Sequence, residues 1–217
     1  MKIDFFGDSI TDAFRNREAV NTNDRFGCGF VAQLAAKLFA QNPVGYEIKN
    51  AGIGGNRIVD LYARIKTDVW NFQPDVLNIL VGINDVWHEF AVQNGVDLKR
   101  WVRMYRAIIE DTKERFPNIK MIICEPFVGR GFITNDEYDK FLKIKEYAAA
   151  AKSLAEEYGL YFLPLQEKIS SAEEKYGEGV VLVDGVHPTV FGASILAEEW
   201  WRLFNQKILP AGQDNAK

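Results

Sequence analysis

Cysteine and histidine are scarce in this chain, with two of each among 217 residues. Cys28 and Cys124 are too few for a disulfide framework, and neither they nor the histidines show zinc-ligand spacing. A reduced compartment suits such a sequence. Basic blocks and stripes are also missing. Lys and Arg number 26 against 30 Asp and Glu, giving a net charge of -4, so nucleic-acid binding has no electrostatic footing. No run of eighteen apolar residues exists, so no membrane-spanning helix is expected. The opening Met1-Lys2-Ile3-Asp4-Phe5-Phe6-Gly7 runs directly into strand-like sequence without a secretory apolar segment, which leads to the expectation of a cytoplasmic protein. Gly-x-x-x-x-Gly-Lys-Ser/Thr, His-Glu-x-x-His and Gly-x-Ser-x-Gly are all absent. The dinucleotide-like Gly52-Ile53-Gly54-Gly55 has Arg57 where the last glycine belongs. Neither a cofactor nor a metal is expected.

The sequence does contain alternating strand and helix signals. A hydrophobic content of 47% supports one substantial core. The expected organisation is one domain over 1–209 and a polar tail over 210–217. Short apolar runs at Ile3–Gly7, Tyr46–Ala51, Val76–Val81, Ile119–Cys124 and Leu160–Leu163 read as strands buried on both faces. Helices are expected at about 27–41, 57–71, 97–116, 136–158 and 189–206. In the third, Leu98, Trp101, Val102, Tyr105, Ile108, Ile109, Thr112 and Phe116 share one face, with Asp97 as N-cap and Pro117 as stop. Irregular segments are expected at 12–25, 87–96, 126–135 and 177–188. Repeated β-then-α units imply right-handed crossovers and a parallel sheet with helices on both sides. Ligands of such sheets collect beyond the carboxyl ends of the strands. Ser9, Gly55 and Asn84 each follow one of the first three strand candidates, so all three are delivered to that edge.

These residues have complementary chemistry. Ser9, in Phe6-Gly7-Asp8-Ser9-Ile10-Thr11, is a candidate nucleophile, and a serine hydroxyl needs a base to attack. His187, in Asp184-Gly185-Val186-His187-Pro188, is the candidate base. Asp184, three residues earlier, can bond the other ring nitrogen and fix the tautomer, and Gly185 eases the intervening turn. Asn84, in Val81-Gly82-Ile83-Asn84-Asp85, brings amide donors that cannot lose a proton. A backbone N–H from the glycine block 52–55 and that of Ser9 would complete a site for developing negative charge. Each residue also has a structural reading: a capping serine, a histidine beside a helix start, a turn asparagine, glycines of a tight loop. Trp87 could stack on a sugar or close an acyl pocket, or simply pack in the core. His88 and Arg130 read mainly as solvated or structural loop residues. The charge runs at 140–146 and 167–175 read as wet helix faces.

Together these blocks resemble the SGNH (GDSL-type) hydrolase family, over residues from about 3 to 195. The resemblance implies a three-layer α/β/α, flavodoxin-like fold with a five-stranded parallel sheet in the order 2-1-3-4-5. It implies Ser9, Asp184 and His187 as catalytic residues, and Ser9, Gly55 and Asn84 as the oxyanion hole, choosing Gly55 over Gly54. Gly82-Ile-Asn-Asp-Val-Trp87, Asn50-Ala-Gly-Ile-Gly-Gly-Asn56 and Glu125-Pro126-Phe127 are similar to the carbohydrate-esterase branch, above all intracellular acetylxylan esterases. That branch implies a metal-free, cofactor-free serine esterase acting on acetylated sugars, with homo-oligomers common among its members. The alternatives are a lipase, lysophospholipase or thioesterase of the same family, or an inactive sugar-binding module.

Overall fold

The structure is a computed structural model that describes residues 1–19 and 22–209. The polar tail at 210–217, and residues 20 and 21 of the segment 12–25, lie outside the described residues. Five strands form one sheet: β1 (Lys2–Gly7), β2 (Glu47–Gly52), β3 (Val76–Leu80), β4 (Lys120–Cys124) and β5 (Tyr161–Leu163). Every pairing is parallel and the order is β2-β1-β3-β4-β5. All five residues of β3 are buried, the central Asn78 included, as in a strand covered on both faces.

The helices are α1 (Ser9–Asp12), α2 (Phe30–Gln41), α3 (Ile58–Ile65), α4 (Ile83–Val92), α5 (Leu98–Arg115), α6 (Tyr138–Phe141), α7 (Ile144–Tyr158), α8 (Gln166–Tyr176) and α9 (Val190–Leu203). β1 shows how they divide into two layers, because successive strand residues point to opposite faces. Phe5 meets Phe30 of α2 and Trp200 of α9, with ring centroids 5.7 and 5.3 Å away. Phe6 faces the other way and carries the Arg64 guanidinium of α3 at 4.4 Å. On one side α2 packs on α9; on the other, α3 packs on α5 and α5 on α7. The α5 stripe falls as its periodicity predicts, burying Trp101, Tyr105, Ile108, Ile109 and Thr112, with Asp97 accepting from the Arg100 N–H at 3.0 Å.

Two expectations need correction. Of the segment 87–96 only 93–96 are irregular, since α4 occupies Ile83–Val92. Ile83 and Val86 are buried there, and Trp87 and Phe90 pack beside them, so helical spacing outweighs the turn chemistry of Gly82-Ile83-Asn84-Asp85. The segment 136–158 is broken into α6 and α7, and the break accompanies burial of Phe141 between Trp87 and Phe90, at 5.7 and 5.0 Å. The charged run at 167–175 is the wet face of a helix, as expected: it lies on α8, which buries only Ile169. No helix among the described residues is long and apolar enough to cross a membrane.

Candidate active site

The register of the sheet sets the spacing of the site. Gly7 of β1 stands level with Gly52 of β2 and Leu80 of β3. Ser9, Gly55 and Asn84 therefore leave three adjacent strand ends at one height. Asp8 caps α1 by accepting from the Ile10 N–H at 3.0 Å, which makes Ser9 the first helical residue. Asn84 lies in the first turn of α4 and is buried.

His187 reaches this edge from a segment 178 positions away. Its Nε2 lies 2.9 Å from Ser9 Oγ, and its Nδ1 lies 2.6 Å from Asp184 Oδ2. The second oxygen of Asp184 accepts from the backbone N–H groups of Val186 and His187, at 2.9 and 2.8 Å. An ionised carboxylate only accepts, so this pattern assigns the ring proton to Nδ1 and leaves the Nε2 lone pair for the Ser9 hydroxyl. A hydroxyl, a base and an acid that orients the base are thus joined in one chain of hydrogen bonds, the arrangement that activates serine for acyl transfer.

A family model for the GDSL-like lipase/acylhydrolase family matches residues 5–195, which include both ends of that hydrogen-bonded chain. The chain belongs to this family. It is a carboxylic ester hydrolase. An acetylxylan esterase from Geobacillus stearothermophilus is 34% identical over 209 residues, covering 93% of this chain and 92% of that protein. The crystal structure of Axe2, an acetylxylan esterase from the same organism, superposes with a TM-score of 0.83 at 30% identity, covering 97% of this chain and 96% of that one. A protein from Parabacteroides merdae assigned as a GDSL-like lipase superposes with a TM-score of 0.87 at 34% identity, covering 95% and 96%.

In this acylhydrolase the two glycines left open by the sequence have different environments. The Gly54 N–H donates to Asp12 Oδ2 at 3.0 Å and is engaged. Gly55 has φ +77, a left-handed conformation natural to glycine, and among the described residues no acceptor takes its N–H. One Asn84 amide hydrogen goes to the Asn56 carbonyl at 3.0 Å, which ties the Asn84 side chain to the glycine loop.

Charge is tuned where it matters. His187 is raised above its ordinary 6.5, first by its hydrogen bond to Asp184, against the opposing effect of burial. For Asp184 burial works upward, but the His187 ring and the two backbone N–H groups outweigh it and hold the carboxyl below the usual range. Burial pushes Asp8, next to Ser9 in sequence, up to about 7.

Several bracing residues were not visible in the sequence. Arg64 of α3 donates to the carbonyls of Gly7 and Ala51 at 2.9 and 2.7 Å and to Asn56 Oδ1 at 2.7 Å, joining the ends of β1 and β2 to the glycine loop. Asn50 donates to the carbonyls of Thr11 and Phe26 and accepts from the Gly52 N–H. Asp85, buried beside Asn84, accepts from the Ile58 N–H at 3.0 Å and so links the starts of α3 and α4. Most of these partners are backbone groups, which leave no residue pattern to read.

Trp87 sits on α4 rather than in a loop, and its half-buried ring packs on Phe141. The packing alternative describes that contact. Arg130 is exposed and stacks its guanidinium on Tyr138 at 4.0 Å. His88 is half-buried one helical turn after Asn84. Among the described residues no group of three or more His, Cys, Asp or Glu could hold a metal ion. A cavity of about 590 Å³ lined by Val86, Phe90, Leu142 and Tyr147 includes neither Ser9 nor His187 in its walls.

Proposed function

We propose that this acylhydrolase is a serine esterase that removes acetyl groups from acetylated sugars, xylo-oligosaccharides foremost, through an acyl-serine intermediate. The observation that carries the reading is the unbroken series Asp184, His187, Ser9 in a chain 34% identical to an acetylxylan esterase along nearly its whole length. Axe2 variants described as catalytic mutants replace a serine, an aspartate and a histidine. The last two are three residues apart, as Asp184 and His187 are here.

The proposed reaction follows from the groups present. Ser9 Oγ attacks the ester carbonyl carbon while His187 Nε2 takes its proton. Asp184 stabilises the imidazolium without being protonated itself. The carbonyl oxygen, now negative, is met by the N–H groups of Ser9 and Gly55 and by the second amide hydrogen of Asn84. The C–O bond to the sugar breaks, His187 returns the proton to the leaving alcohol, and the acetyl group stays on Ser9. A water molecule, deprotonated by His187, then releases acetate and regenerates the hydroxyl.

The test is acetate release from acetylated xylo-oligosaccharides followed by mass spectrometry, alongside p-nitrophenyl esters of short and long acids. The wild type should cleave acetyl esters fastest, and Ser9→Ala should lose turnover by ~10⁴-fold or more. A preference for long acyl chains would move the chain to the lipase side of the family. Undiminished turnover in Ser9→Ala would remove the serine mechanism.

A further inference from the structure

The second histidine stands at the wall of the same site. Gly55 has open space where a side chain would begin, and the nearest heavy atom across that space is His88 Cε1, 4.0 Å from the position of a Cβ. His88 lies four residues after Asn84 on α4, so the two side chains share a helix face, and Asn84 is bonded to the residue after Gly55. The placement is braced. Asn94 donates its N–H to the His88 carbonyl at 2.9 Å, and Arg57 donates to both the backbone and side-chain oxygens of Asn94 at 2.6 Å. Arg57 is itself held by Asp60 at 2.9 Å. The loop carrying Gly55 is thus tied to the end of the helix carrying His88.

The chemistry of that ring is specific. Burial lowers its proton affinity and the Arg57 charge lowers it further, outweighing Asp60, so the imidazole is neutral at pH 7. A neutral imidazole has one donor and one acceptor nitrogen. Among the described residues neither makes a hydrogen bond, and the ring is only half-buried, so both can serve a ligand. An acetyl methyl offers such a ring nothing, whereas a sugar hydroxyl adjacent to the acetylated oxygen can both donate and accept.

We propose that His88 is a specificity-determining residue that hydrogen-bonds a hydroxyl of the sugar carrying the acetyl group and so orients that ester against Gly55 and Asn84. The inference rests on the proposed deacetylase function and deepens it. It distinguishes His88 from the acid–base chain: His187 moves protons, and His88 selects the alcohol part of the substrate.

The experiment measures kcat/KM on acetylated xylobiose and on p-nitrophenyl acetate, an acetyl ester without sugar hydroxyls. In His88→Ala and His88→Phe the ratio of the two values should fall about tenfold, the effect of one lost hydrogen bond, chiefly through a higher KM on the sugar ester. His88→Gln, which keeps a donor and an acceptor, should recover part of the ratio. A ratio unchanged in Ala and Phe overturns the inference, as does one preserved by Phe alone, which would indicate shape rather than hydrogen bonding. An equal loss on both substrates also overturns it, by reducing His88 to support for the Gly55 loop. A wild type that releases no acetate from the sugar sinks the deacetylase reading and this inference with it. Activity on the sugar with an unshifted ratio sinks the inference alone.

Discussion

Gly7, Gly52 and Leu80 stand level across three hydrogen-bonded strands, so Ser9, Gly55 and Asn84 take their spacing from the sheet. Asp184 and His187 have no strand beneath them. Their segment is held by another loop: Gly129 donates to the Gly185 carbonyl at 2.9 Å and Ile133 to the Asp184 carbonyl at 3.1 Å. The contact is close enough that a Cβ on Gly131 would sit 2.2 Å from the Asp184 carbonyl carbon, and one on Gly185 would sit 2.1 Å from Thr134 Oγ1. The contrast suits the proposed division of labour. Donors that meet a developing charge must be preset, because reorganising them during the reaction costs rate. The acid–base pair has to hold only one short hydrogen-bonded line to the hydroxyl, and Asp184 builds that line from its own segment.

The comparison breaks most sharply at His187. Its removal takes away the only proposed proton acceptor for Ser9, so His187→Ala should lower kcat by ~10⁴-fold or more on any acetyl ester, with the folded structure intact by circular dichroism. A loss within tenfold would mean that Ser9 is activated from the sheet side and that the two halves are not divided as proposed.

A smaller effect is expected on the sheet side. Asn84→Ala removes one of three proposed donors and should cost about 10²–10³ in kcat, with little change in KM. Steady-state kinetics on p-nitrophenyl acetate checks this. If kcat stayed at the wild-type level, the Asn84 amide would serve only to hold the Asn56 carbonyl, and the donor set would shrink to backbone N–H groups.

The two halves are unequally legible in the amino-acid sequence. The strands, their parallel arrangement and the delivery of Ser9, Gly55 and Asn84 to one edge follow from apolar runs placed just before those residues. The sheet order came only from resemblance, because periodicity within a strand says nothing about which neighbour it joins. The preference for Gly55 over Gly54 has a physical correlate only in three dimensions, where Asp12 occupies the Gly54 N–H. Helix α4 was partly hidden: Gly82-Ile83-Asn84-Asp85 has strong turn chemistry, and the helical spacing of Ile83, Val86 and Phe90 emerges only when the reading continues past it. The loop that supports Asp184 was legible only as an irregular segment, 126–135. Its grip on the histidine segment depends on Gly131 and Gly185 approaching backbone to backbone, which no side-chain pattern records. Arg64 belongs to the same class, since it acts mostly on carbonyls.

The mildest perturbation, a change of pH, separates the two halves without disrupting either. The proposed base must be neutral, so kcat/KM should climb as pH rises through the proton affinity of His187. The bond to Asp184 holds that affinity above the ordinary 6.5, and the nearby charge of Asp8 adds to it, so the midpoint should lie above 6.5. Asp184→Asn removes the main cause of the elevation, and the midpoint of its much weaker activity should move down. The Gly55 N–H and the Asn84 amide do not titrate, so Asn84→Ala should lower the plateau and leave the midpoint where it was. The buried Asp8 carboxyl, at about 7, titrates in the same range and faces His187, so Asp8→Asn is the necessary companion variant. Its midpoint should drop less than that of Asp184→Asn, because Asp8 acts on the ring through space and makes no hydrogen bond to it. A midpoint that moved with Asn84→Ala but not with Asp184→Asn would place the titrating group on the sheet side and reverse the assignment of the two halves.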